Sequence, residues 1–129
     1  MTTELALLLW SLPLYGLYLA TQSLLYRAHY GVDFAATARD DPKPESVRLG
    51  RAERALRNFQ ETWLVFIVLM LAAQLAAPGD GLVFWGAVVW FAGRIVYLPL
   101  YVLGAYWWRS VVWSIATAGL GLVFWGVLF

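Results

Sequence analysis

The chain has no cysteine and a single histidine, His29. Without thiols, disulfides, cysteine nucleophiles and Cys-ligated metals are excluded, and one imidazole cannot assemble a structural metal site. No Ser-His-Asp or Glu-metal arrangement is present either. Charge is scarce as well: Asp, Glu, Lys and Arg make up 13% of the 129 residues, about half the share usual in a soluble domain. A chain so poor in charge is not built to face water on all sides. The formal net charge is only +1, and the basic residues are accounted for by membrane topology, so no nucleic-acid partner is implied. No internal repeat is visible.

What the chain has is apolar length. Hydrophobic residues make up 62% of it. Leu5–Tyr26 runs for 22 residues without a charge, and Asn58–Ala77 for 20 with Glu61 as its one ionisable group. Gly81–Gly104 runs for 24 with Arg94 alone charged, and Ser110–Phe129 for 20 with none. Each matches the roughly 20 residues needed to cross a hydrocarbon core as a helix. Four buried helices of a soluble protein would need polar outer faces, which these runs lack. The reading is an all-α membrane protein, a single domain over residues 1–129 forming a four-helix transmembrane bundle. Spans are expected near residues 4–28, 47–77, 81–106 and 109–129.

The charges set the orientation. Arg27, Arg39, Lys43, Arg48, Arg51, Arg54 and Arg57 cluster between the first two spans, and Arg109 sits between the last two. The amino terminus and the Pro78-Gly79-Asp80 turn carry no Lys or Arg. The positive-inside rule then places the first and third connections in the cytoplasm and both termini on the non-cytoplasmic side. Leu5–Tyr26 is too long and bulky for a cleavable signal, and Glu4 precedes it where a basic start belongs. Pro13 and Pro99 should bend the first and third spans. The run Arg39–Glu45 cannot be helical throughout, because each proline extends the residue before it. Tyr106, Trp107 and Trp108 sit where an interfacial aromatic belt belongs.

Two polar stripes enter this apolar frame. Arg51, Arg54, Asn58 and Glu61 fall at i, i+3, i+7 and i+10, with Arg57 beside them. Arg94, Tyr97 and Tyr101 fall at i, i+3 and i+7 on the next span, and Arg109 follows. Taken singly, each has a plainer reading: the arginines as topology signals, the tyrosines as packing, Arg109 as a headgroup anchor, a Glu61–Arg94 pair as a pin between helices. Together they share one depth range, and burying a charge centrally costs at least roughly 2.5–3.5 kcal/mol on insertion scales. Counting from the same membrane face, Glu61 and Arg94 reach similar depths, so a direct or bridged pair is expected. Several guanidiniums, an amide and two phenols at one mouth suit a small polyanionic ligand, since arginine grips carboxylates with two parallel bonds.

Three segments carry a family resemblance. RALRNFQET (Arg54–Thr62), RIVYLPLY (Arg94–Tyr101) and RSVVW (Arg109–Trp113) resemble, in order and spacing, motifs of the membrane-associated proteins in eicosanoid and glutathione metabolism, the MAPEG family. The ARDDPKP loop resembles its bacterial branch, which implies a bacterial inner membrane with the site facing the cytoplasm. The resemblance implies a homotrimer with a glutathione site at each subunit interface. It further implies that Arg54, Arg57, Asn58, Glu61, Arg94, Tyr97 and Tyr101 contact glutathione as cosubstrate, with Arg51 extending the set. Arg27 would contribute from an adjacent subunit. Arg109 matches the arginine proposed to stabilise the thiolate, with Ser110 beside it. Leu56, Val65 and Trp113 depart from residues common at their positions in the family. The activity implied is a glutathione-dependent membrane transferase, isomerase or peroxidase acting on a lipophilic electrophile drawn from the bilayer lipids. A non-catalytic lipid-binding or scaffold protein, like the five-lipoxygenase-activating member, is the alternative. A small transporter is disfavoured by the lack of paired repeats.

Overall fold

The computed structural model describes all 129 residues, and its regular structure is entirely helical. Helix α1 spans Thr3–Tyr30, a single short turn α2 spans Val32–Ala35, and α3 spans Val47–Ala76. Helices α4 (Gly81–Leu103) and α5 (Tyr106–Leu128) complete the chain. The four long helices are each long and apolar enough to cross a membrane. The protein is an integral membrane protein, and the spans fall close to where the apolar runs place them.

Local chemistry sets the helix ends. Thr2, Ser46 and Asp80 cap α1, α3 and α4 by accepting backbone N–H groups of the first turn, which otherwise lack partners. Gly104 ends α4 in the left-handed conformation at φ +79, a backbone that glycine adopts without steric cost. Pro13 and Pro99 lie within continuous helices. The proline-rich run after Arg39 is non-helical, as its sequence requires.

Packing divides the helices into two close pairs, α1 with α3 and α4 with α5, and the second pair is the more extensive. Small residues explain it. A Cβ atom at Gly86 would lie 2.6 Å from the Gly119 carbonyl oxygen, and one at Gly93 would lie 2.9 Å from the Ala116 methyl. In lipid there is no hydrophobic drive between helices, so close backbone approach and van der Waals contact hold them. Between the pairs lies an aromatic core in which Phe66 stacks on Trp90, centroids 4.0 Å apart, and Tyr18 packs on Phe59 at 4.4 Å. Trp63 donates its indole N–H to Ser11 at 2.8 Å, joining α3 to α1.

The ends of the bundle differ. At one, Glu4 is buried and accepts the Gly79 N–H at 2.8 Å, and Thr2 bonds Gln74. The carboxyl-terminal residues flank the same Pro78–Asp80 turn, so both termini share one end. The other end carries the long α1–α3 connection, the α4–α5 turn and nearly all the basic residues. Only 25 of 129 residues are buried, so most of each span looks outward, toward lipid or another protein.

Gly86→Leu is expected to force α4 from α5 and lower stability by about 1–3 kcal/mol. Thermal unfolding in mild detergent reads this as a lower midpoint. Gly16→Leu is the control, since a Cβ atom added at Gly16 would meet nothing within 4 Å. It should leave the midpoint near the parent value.

Candidate functional site

At the basic end, residues of α3, α4 and α5 line a groove with two chambers that share Arg109. The deeper one, about 380 Å³, is lined by Asn58, Tyr97, Arg109, Ser110, Trp113 and Ser114. The outer one, about 180 Å³, is lined by Arg51, Arg54, Tyr101, Gly104, Tyr106 and Arg109. Arg109 belongs to both. No carboxylate lines either chamber. A larger hollow of about 580 Å³ lies at the opposite end around Pro78–Asp80, but only Asp80 among its walls has an ionisable side chain.

Tyr101 organises the outer chamber. Its hydroxyl accepts the Arg54 Nε–H at 3.3 Å, while the Arg109 guanidinium lies 4.7 Å from its ring centre. One phenol thus holds two cations by different means, one through its oxygen and one through the negative face of its ring. Arg51 donates to the Val102 carbonyl at 3.4 Å and so helps close the α4 C-terminus. Its guanidinium fills the space a Cβ at Gly104 would need, 2.6 Å away at the nearest atom.

Arg94 lies deeper and is 1% exposed. Nη1 donates to Asn58 Oδ1 at 2.9 Å, whereas Nε and Nη2 have no hydrogen-bond partner within the chain. Aromatic faces surround the cation: Tyr97 at 4.5 Å, Phe59 at 5.4 Å and Tyr18 at 5.7 Å from ring centre to guanidinium. Tyr18 also donates its hydroxyl to the Arg94 carbonyl at 2.6 Å. A buried guanidinium with two of its three nitrogens unpartnered is expensive unless a further acceptor reaches it.

Of the residues singled out from sequence, Arg51, Arg54, Asn58, Tyr97, Tyr101, Arg109 and Ser110 line this groove, and Arg94 backs it through Asn58. Arg57 and Glu61 do not line it; both are exposed on the outer face of α3. The direct form of the pair expected between Glu61 and Arg94 is not made within the chain, where Asn58 accepts from Arg94 instead. Arg27 lies at the end of α1, lining a separate pocket. Sequence reasoning missed Tyr18 and Ser114. Ser114 was findable, being a hydroxyl one turn beyond Ser110 on a helix of few polar residues. Tyr18 carried no such signal.

The fold defines an integral membrane protein of four spans with an arginine-lined groove at one end. A family model, that of the MAPEG family, matches residues 5–129, essentially the whole chain, and the chain belongs to the MAPEG family. Its members are membrane glutathione-related transferases and activating proteins. Neither the curated proteins nor the solved structures contain a significant match to the chain.

The Asn58–Arg94 bond is testable by a double-mutant cycle of Asn58→Leu and Arg94→Leu. Hydrogen bonds to charged groups contribute about 1.5–3 kcal/mol, so unfolding in detergent should show coupling of that order. Additive effects would mean that the bond is not formed.

Proposed function

We propose that the groove binds glutathione and that Arg109 holds its sulfur as thiolate for attack on a lipophilic electrophile from the bilayer. The observation that carries this reading is the shared position of Arg109. On one side of it lies an acid-free chamber with Arg51 and Arg54, suited to carboxylates. On the other lies a chamber walled by Asn58, Tyr97, Ser110, Trp113 and Ser114, mostly polar groups suited to the rest of glutathione, with Trp113 as an apolar surface for the electrophile. The fit of a polyanion is supported by Arg94, whose Nε and Nη2 are buried and unpartnered, and by Asn58, which accepts from Arg94 and lines the deeper chamber.

The chemistry asked of the protein is modest. A free thiol has a pKa near 8.5, and an adjacent cation favours its thiolate. Arg109 supplies that charge without losing its own proton. Ser110 is placed to hold the sulfur or the reacting atom by a hydroxyl bond. Tyr101 keeps Arg109 and Arg54 at fixed positions, so little reorganisation accompanies reaction.

The same reading includes an oligomer. Arg57 and Glu61 are exposed on α3 beside Leu64, Val65 and Val68, and charges at membrane depth do not face lipid. A second copy laid on this face would shield them and bring them toward a neighbouring groove. Three copies is the number the family resemblance implies. With the basic connections inside, the groove faces the cytoplasm of a bacterial inner membrane.

Arg109→Leu should reduce conjugation of glutathione to an apolar electrophile by about a hundredfold, the loss of roughly two pKa units at 1.36 kcal/mol each. Its glutathione affinity should stay close to that of the parent. Arg54→Leu should do the reverse, weakening binding about tenfold or more as a carboxylate loses its partner. An ultraviolet thiolate band, present in the parent at neutral pH and absent in Arg109→Leu, checks the assignment without choosing an electrophile. A parent that binds glutathione yet shows neither thiolate nor turnover would be a lipid-binding or scaffold protein instead.

Light scattering in mild detergent tests the assembly. Three chains per particle is the expected result, and Glu61→Leu should alter that number or the thermal midpoint. A monomeric parent would overturn the oligomer and leave Glu61 unexplained.

A further inference from the structure

Beside the groove, the end of α1 and the connection after it build a second concave surface. The chain turns at Gly31, with φ +89, and α2 folds back on α1 by stacking Phe34 on Tyr30, ring centres 5.2 Å apart. That contact decides which side of α2 is left over. Val32, Ala35 and Ala36 line a pocket of about 230 Å³ whose remaining walls are Arg27 and Arg39. The rest of the connection is tied down. Tyr30 donates its hydroxyl to the Lys43 carbonyl at 2.8 Å, and His29 Nε2 lies 2.7 Å from the Pro44 carbonyl oxygen.

Arg39 is held by two contacts. Nε donates to the Ala35 carbonyl at 3.1 Å, and the guanidinium lies 4.3 Å from the centre of the Tyr26 ring. These fix the plane of the guanidinium and leave its two Nη nitrogens for a ligand. Asp33, Asp40 and Asp41 are near in sequence, but none of them lines the pocket.

We propose that this pocket binds the phosphate of an anionic phospholipid. Arg27 and Arg39 would grip the headgroup, with Val32, Ala35 and Ala36 against its glycerol and first acyl carbons. The apolar wall argues for a lipid, because a free phosphate ion gains nothing from three alkyl side chains. Depth agrees: Arg27 directly follows the charge-free run Leu5–Tyr26, so the pocket sits at headgroup level. Val32 is 68% exposed in the chain alone, a costly arrangement in water and a favourable one against the acyl boundary. Two arginines match phosphate oxygens with their planar forks better than two lysines would. None of the residues of this pocket lines either chamber of the groove within the chain; Arg27 alone among them is also assigned by the family resemblance to the glutathione site of an adjacent copy, whereas Arg39, Val32, Ala35 and Ala36 are not. A lipid held here would fasten the long connection to the bilayer surface.

Native mass spectrometry of the full-length protein in detergent provides the test, with phosphatidylglycerol, phosphatidylcholine and inorganic phosphate as separate probes. Phosphatidylglycerol should be retained in preference to phosphatidylcholine, and inorganic phosphate should not displace it. Arg39→Gln and Arg27→Gln should each weaken phosphatidylglycerol binding about fivefold. That equals about 1 kcal/mol per basic residue near an anionic surface, taking tenfold as about 1.4 kcal/mol. Arg27 has no part in the loop contacts above, so its variant keeps the test valid if Arg39→Gln unsettles the connection. Equal retention of both lipids, or parent-like binding by both variants, would overturn the proposal. Displacement by inorganic phosphate at comparable concentration would also overturn it, in favour of a soluble phosphate.

Discussion

Everything at the basic end depends on holding one guanidinium, that of Arg94, away from water. A cation in a low-dielectric interior is tolerated only with partners, and here the partners come from three helices. Asn58 on α3 accepts from it, and Tyr18 on α1, Phe59 on α3 and Tyr97 on α4 turn ring faces toward it. The hydroxyl of Tyr18 bonds the backbone of the same residue. Three helices are therefore positioned by a single charge, and the rest of the groove takes its shape from where they end.

The mouth of the groove poses the opposite problem, since Arg51, Arg54 and Arg109 line one small chamber with no acid among its walls. Left free, such side chains would spread into solvent. Tyr101 prevents this by using its oxygen for Arg54 and its ring for Arg109, and the α4 terminus occupies Arg51. The cost of assembling like charges is met in folding, by contacts within the chain itself. Gly104 takes part for a steric reason: a side chain there would displace the Arg51 guanidinium.

The spans, the shared end of the two termini and the membrane depth of both polar stripes were legible in the sequence because apolar length and helical periodicity report depth directly. Azimuth is harder. On an ideal helix Asn58 lies about 100° round from Phe59 and Glu61 about 160° round in the same sense. The stripe therefore drifts away from the core as it deepens. That drift takes Glu61 to the outer face and leaves Arg94 to Asn58, where depth alone suggested a carboxylate–guanidinium pair. The α4–α5 seam was hidden for another reason. Glycine has no side chain to mark a contact, and only the geometry shows that Gly86 meets Gly119. The aromatic anchor of α2 joins residues of ordinary type through a turn at Gly31, which periodicity does not describe.

The exposure of Glu61 follows from how α3 packs. A span that carries Arg57 and Glu61 one turn apart on its outward face can shield them inside its own bundle or outside it, by reaching headgroup level or by contact with a neighbour. The first is closed, because the inward face of α3 is filled by Ala55, Phe59, Phe66 and Met70, all at most 1% exposed. Rotating α3 to bring Glu61 inward would expel Phe59 from between Tyr18 and Trp90. It would also strip Arg94 of the Asn58 bond and leave the cation with its ring contacts disrupted. The chain thus satisfies Arg94 with its own residues and leaves Glu61 on its outer face.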